Sequence, residues 1–175
     1  MKHRISFAFS VLILSLVPLT FAQTPAVTAS SATGTVTLSG AAFICANQNV
    51  TGNCPDAEFD PALGSIQNPQ GTWVANVVLP PGVTVTALRL CGNFNEVGSS
   101  IKATLESTPI TSSSGFPSAV AMASVQSSGA VNKTQCFGTT AITNPTISNA
   151  KNQYFVVVVV PDNDGVIFTS VQIDY

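Results

Sequence analysis

The segment QYFVVVVVP, residues 153–161, limits what this chain can fold into more than any other. Consecutive valines are β-branched and stiff at χ1, which suits a strand and disfavours a helix. Side chains on a strand alternate between its faces, so an unbroken valine run puts apolar groups on both. One face belongs to a core. The other needs cover too, because an exposed run of this kind pairs edge to edge and aggregates. Burying one valine side chain stabilises by about 1.5 kcal/mol or more, so covering both faces is favoured. Residues 153–160 are therefore expected to form an internal strand. Two covers for its second face stand open: the 46–70 segment, or a second copy of the chain in a homo-oligomer.

The rest of the sequence keeps the rhythm of short strands. TGTVTLSG (33–40) alternates Val36 and Leu38 with Thr and Ser. TWVANVVL (72–79) is stopped by Pro80-Pro81-Gly82. VTVTALRLC (83–91), SSIKATLES (99–107), AVAMASVQ (119–126), TQCFGTTAI (134–142) and VIFTSVQIDY (166–175) follow, with turn formers between them. No segment carries a helical period. The stretch ANQNVTGNCPDAEFDPALGSIQNPQ, residues 46–70, is dense in Asn, Asp, Pro and Gly and reads as one long loop. About eight strands at this spacing indicate an all-β sandwich or barrel. Val171, Ile173 and Tyr175 end the chain in the manner of an outer-membrane barrel strand, but such barrels need aromatic girdles, and the aromatics here are thinly spread.

The start of the chain is of a different kind. MKHR is short and basic, ISFAFSVLILSLVPL is apolar and uncharged, and Thr20-Phe21-Ala22 offers small residues where a signal peptidase reads. Residues 1–22 are expected to be a cleaved signal peptide, residues 23–32 a flexible leader, and residues 33–175 a single domain. The apolar stretch is shorter than the usual membrane span of about 20 residues, so an anchor is disfavoured. Cleavage would remove His3, the sole histidine, with Lys2 and Arg4. Arg89, Lys102, Lys133 and Lys151 then face eight carboxylates, a net charge near −4. No basic patch remains for nucleic acid.

The four cysteines, Cys45, Cys54, Cys91 and Cys136, imply two disulfides in an exported chain, with three pairings open. Cys45 and Cys54 can close a local loop, and Cys91 and Cys136 can staple two strands, so 45–54 with 91–136 is favoured. Their spacing does not fit zinc, and no histidine would survive to assist. Asp162, Asn163 and Asp164 precede Gly165 in a stretch that can supply oxygen to calcium, yet no closing acid follows, and Asp-Gly between strands marks a hairpin. The turn is the favoured reading, and no metal or other cofactor is implied. Asp56, Glu58 and Asp60 alternate in CPDAEFDP and are candidates for a ligand-binding rim, against the plainer reading of a solvated loop. Trp73 is a candidate sugar-stacking platform, although a lone Trp in a strand more often belongs to a core. Catalysis has little to draw on. Without histidine a Ser-His-Asp or Cys-His arrangement is excluded. A glycoside hydrolase would need two facing carboxyls, and none of Glu58, Glu96 and Glu106 is marked out. No catalytic residue is assigned.

From Trp73 onward the stretches VVLPPGVTVTALRLCGNFNEVGSSIKATLES, MASVQSSGAV, TTAITNPTISNAKNQYFVVVVV and VQIDY resemble a group of secreted proteins of soil bacteria, acidobacterial and myxobacterial in type. The shared features are an "LP.G..V" strand start, an "I.NP.I.N....Y...V" segment and a closing "V.I.Y". The resemblance covers over half of the chain. It implies a jelly-roll-like antiparallel β-sandwich and carries over no catalytic residue. Cys91 and Cys136 depart from the pattern. The expected function is that of an exported, non-enzymatic β-sandwich with a structural or surface-binding role in the cell envelope or outside the cell, its partner a glycan or another envelope component. A carbohydrate-binding module is the first alternative and a carboxylate-dependent glycan hydrolase the second.

Overall fold

The structure is a computed structural model, which describes residues 32–46, 54, 57–62, 64–67, 69–94, 100–111, 118–127, 131–161 and 166–175. The expected signal peptide (1–22), most of the leader (23–32), Asp56, Glu96 and the turn residues Asp162, Asn163 and Asp164 lie outside this set.

Eleven strands and one short 3-10 turn make up the described chain. They are β1 (Thr35–Ser39), β2 (Ile44–Cys45), β3 (Glu58–Asp60), β4 (Ser65–Gln67), β5 (Gly71–Val77), β6 (Ala87–Phe94), β7 (Lys102–Pro109), β8 (Val120–Gln126), β9 (Val131–Thr139), β10 (Asn152–Val160) and β11 (Val166–Asp174). The 3-10 turn, Gly40–Ala42, links β1 to β2. One sheet runs β3-β4-β11-β6-β9, and β1 pairs β11 beside β4. The other runs β2-β5-β10-β7-β8. Every pairing is antiparallel, and the two sheets pack face to face as a sandwich. From β5 to β7 the chain changes sheet at each strand, as the expected jelly-roll-like sandwich requires.

The sequence pattern explains this layering. Leu88, Leu90, Ile101, Ala103, Leu105, Val156, Val158, Val171 and Ile173 have no exposed surface and meet between the sheets. A bulge in β11 between Phe168 and Ser170 keeps that face continuous. Val166 and Phe168 point inward before it, and Val171 and Ile173 after it, because one extra residue shifts the alternation by one. Phe43 meets the ring of Phe168 edge-on at 4.9 Å, and Phe94 meets Phe137 at 5.4 Å. Such pairs add packing energy beyond the area they bury.

The valine strand is internal, with β5 on one side and β7 on the other. Tyr154, Val156, Val158 and Val160 point into the core. On the outer face Phe155 and Val157 are half-buried and Val159 is exposed. Their cover comes from beside them rather than above. Phe155 stands between Asn76 and Glu106, Val157 between Val74 and Thr104, and Val159 between Thr72 and Lys102. The described part of the 46–70 segment does not lie over this face. It is also not a plain loop: it folds into the β3–β4 hairpin, which extends the opposite sheet along β11. This hairpin, together with the two-residue β2, raises the count from the expected eight or so to eleven. Asp60 holds the hairpin turn by accepting from the Ala62 amide at 2.9 Å and from Gln67 Nε2 at 3.2 Å.

A second difference concerns residues 83–91, where regular pairing begins only at Ala87. Residues 82–85 pair instead with the 145–147 segment: Val85 N donates to the Pro145 carbonyl at 2.9 Å and Ile147 N to the Val83 carbonyl at 2.9 Å. Pro145 has no amide proton to return, so the ladder stays at a single bridge, Thr84 to Thr146. Disulfides join Cys45 to Cys54 and Cys91 to Cys136. The second links directly opposed residues of β6 and β9, with Cα atoms 4.1 Å apart. Among the described residues no helix is long and apolar enough to cross a membrane.

Candidate functional site

Pro80 and Pro81 end the strand that β5 begins, because neither can donate to a ladder. The chain leaves the sheet at Val78, whose side chain is 85% exposed. Across from it, β10 starts at Asn152, and the turn before it is closed by the amides of Lys151 and Asn152 donating to the Ser148 carbonyl at 3.0 and 2.9 Å. Asn149 pins this turn to the end of β5, its Nδ2 donating to the Leu79 carbonyl at 2.8 Å. The Ile110 amide donates to the Lys151 carbonyl at 2.8 Å and brings in the end of β7. Three strand ends are thus locked around one open groove.

The groove has a volume of about 510 Å³. Its floor is Val77 and Tyr154, both buried. The Tyr154 hydroxyl is fixed by the Ser148 amide, which donates to it at 2.8 Å. The walls carry four carboxamides, Asn76, Asn149, Asn152 and Gln153, and the rim carries the exposed aliphatic side chains of Val78 and Ile110. Among the described residues, the side chains of Asn76, Asn152 and Gln153 make no hydrogen bond within the protein. Each carboxamide offers two donor hydrogens and a carbonyl acceptor. No carboxylate, lysine or arginine is among the described residues that line the groove. Phe155 and Glu106 continue the same outward face one residue pair further along β10, with Asn76 opposite Phe155.

Neutral amides complement a neutral ligand rich in hydroxyls, and the aliphatic rim complements its C–H surface. Acid–base hydrolysis of a glycoside needs two facing carboxyls, and the described lining residues supply none. Glu58 lies on β3 of one sheet and Glu106 on β7 of the other. No group of three or more His, Cys, Asp or Glu able to hold a metal occurs among the described residues.

The candidates from sequence fall elsewhere. Trp73 is 8% exposed and points between the sheets, with Nε1 donating to the Pro69 carbonyl at 2.6 Å. It is a core residue and cannot serve as an open stacking platform on the sheet surface. The reason is register: Trp73 pairs Val158, which is on the inward face of β10. Glu58 is exposed on the edge strand β3, Asp60 serves the hairpin turn, and Asp56 lies outside the described residues. Sequence reasoning passed over Asn76, Asn149, Asn152 and Gln153. Their only signal was position, since all four sit where strands start or stop.

No family model matches the chain, and no curated protein matches it significantly. Solved structures of similar shape include the CBM22-1–GH10 modules of Clostridium thermocellum endo-1,4-beta-D-xylanase 10B complexed with xylohexaose, at 10% identity and a TM-score of 0.47 over 82% of this chain. This chain spans only 28% of that one. A xylan-binding domain from CBM 22 matches at 14% identity and a TM-score of 0.38, over 63% of this chain and 70% of its own. The xylan-binding module CBM15 matches at 12% identity and a TM-score of 0.45, over 81% of this chain and 97% of its own. At such identities and scores the likeness transfers neither a ligand nor a residue role to this chain.

Proposed function

We propose that this chain is an exported, non-catalytic carbohydrate-binding module, and that the groove at the ends of β5 and β10 takes a neutral glycan. The observation that carries the proposal is the set of three carboxamides, Asn76, Asn152 and Gln153, whose side chains make no hydrogen bond among the described residues, in a groove whose described lining carries no ionised group. Export is supported by the pairing of all four cysteines, a state that persists in oxidising compartments. A ligand of sugar type satisfies the amides through its hydroxyls while Val78 and Ile110 cover its ring edges. A charged glycan would find no counter-charge among the lining residues.

Calorimetric titration with soluble xylan, mannan and β-glucan and their hexasaccharides tests this. At least one neutral glycan is expected to bind saturably. Each hydrogen bond lost is worth about 1 kcal/mol, so the double variant Asn76→Ala/Gln153→Ala should weaken binding by about 10- to 30-fold. Thermal stability should be unchanged, since both side chains are exposed. Absence of binding across the panel, or an unchanged affinity in the double variant, would refute the assignment.

A further inference from the structure

We infer that the chain holds a second and separate binding site, an apolar cavity at the open edge of the sandwich that takes one neutral bicyclic aromatic molecule. The cavity lies where the β3–β4 hairpin of one sheet meets β5 of the other, beside the 40–43 turn that links β1 to β2. Its volume is about 280 Å³. Ala41, Phe43, Ala57, Phe59, Ile66 and Trp73 line it, and among the described lining residues no polar side-chain group faces it other than the indole N–H. That N–H is already bound to the Pro69 carbonyl at 2.6 Å. The space opens to solvent and the polar part of its wall is backbone, but its lining side chains are apolar, so an apolar ligand that displaces water from them gains.

Size and shape narrow the occupant. An engineered cavity of about 150 Å³ lined by aliphatic and aromatic groups accepts benzene, so one nearly twice that volume accommodates two fused rings. Three aromatic side chains face the space, and two of them are held rigid. Phe43 is fixed edge-on against Phe168 at 4.9 Å, and Trp73 by its own hydrogen bond. The third, Phe59, is 51% exposed. It is opposite the buried Ile66 in the β3–β4 register, which places it over the cavity mouth. An aromatic side chain left half in water gains apolar contact when a ring enters beneath it. The backbone on the far wall is packed tightly: a Cβ on Gly40 would lie 2.9 Å from the Gly64 carbonyl oxygen. The site is independent of the glycan groove because Trp73 and Asn76 point to opposite faces of β5.

Trp73 is the sole tryptophan, so it reports occupancy directly. The full chain, secreted and oxidised, is titrated with 6-propionyl-2-dimethylaminonaphthalene, a neutral bicyclic dye that accepts energy from tryptophan. Saturable one-to-one binding in the micromolar range is expected, with dye emission sensitised by excitation of Trp73. Ala57→Phe fills the cavity from one wall and Ala41→Phe from the other. Each should weaken dye binding at least tenfold without lowering the melting temperature. Phe59→Ala should weaken it several-fold, and Asn76→Ala/Gln153→Ala should leave it unchanged. Non-saturable binding, absence of energy transfer, or wild-type affinity in whichever filling variant folds would overturn the inference. Loss of dye binding in the groove variant would overturn the claim that the two sites are separate.

Discussion

The valine run permits a sharp test of the sandwich, because neighbouring residues in it are predicted to respond oppositely. Threonine matches valine in shape but carries a hydroxyl in place of one methyl. Val158 has no exposed surface and stands between Trp73 and Ala103 in the ladder. Neither neighbour has a free hydrogen-bonding group to offer, since the indole N–H is taken by Pro69. A hydroxyl at this position is buried without a partner, at a cost of about 1–3 kcal/mol. Val159 is 41% exposed, between Thr72 and Lys102, where water satisfies a hydroxyl. There the same change should stay within about 0.5 kcal/mol. Urea unfolding of Val158→Thr and Val159→Thr reads both. At a slope near 2 kcal/mol/M, Val158→Thr should lower the midpoint by about 0.5–1.5 M, with the slope unchanged, and Val159→Thr by no more than about 0.25 M. Equal losses would show that the outer face is as dry as the inner one, so that a second copy of the chain or another segment covers it. A larger loss for Val159→Thr would place the strand in the opposite register and refute the core assignment.

The two bridges should contribute unequally. In the chain-entropy model a closed loop of 45 residues stabilises by about 4 kcal/mol, and one of 9 residues by about 2.6 kcal/mol. Cys91→Ser/Cys136→Ser should therefore lower the melting temperature in calorimetry more than Cys45→Ser/Cys54→Ser, and the reverse order would discredit the assigned pairing. The β11 bulge should be intolerant of side chains on its partner strand. A Cβ on Gly92 would lie 2.5 Å from the Ile167 carbonyl oxygen, whereas one on Gly138 meets Arg89 Cγ at 3.3 Å and a flexible stem can yield. Gly92→Ala should cost about 1–3 kcal/mol in chemical denaturation and Gly138→Ala much less.

Strands whose residues alternate were legible because burial and periodicity agree there. The alternation of Ile101, Ala103 and Leu105 into β7 and the closing Val171 and Ile173 declare an inward face before any partner is known, whereas the β10 valines declare a strand but not which of its faces is the inner one. The β3–β4 hairpin was not legible. Each strand has three residues, too few to establish a period, and its stability comes from pairing with Ile167 and Phe168, which lie about a hundred residues away in the chain. The same limit explains Val83 and Val85, which look like strand residues and are buried like strand residues, yet bond to a segment that Pro145 keeps from forming a ladder. Sequence left three cysteine pairings open and favoured 45–54 with 91–136, the pairing the structure has; only the β6–β9 register, which sets Cys91 opposite Cys136, decides it.

The groove was hidden for a different physical reason. With a charged fraction of only 8%, the chain draws its solubility from Ser, Thr, Asn and Gln on the outer faces of both sheets. Those side chains are also the ones that would recognise a neutral sugar, so composition cannot separate a hydrated surface from a binding surface. What separates them is convergence. Thr104 and Ser124 on the open sheet face satisfy each other at 3.0 Å across β7 and β8. Asn76 at the end of β5 and Asn152 and Gln153 at the start of β10 make no such side-chain bond among the described residues. A surface that pairs its own polar groups gains little from a ligand, whereas one that fixes them apart and leaves them unpaired retains the free energy of those bonds for whatever fills the space between them.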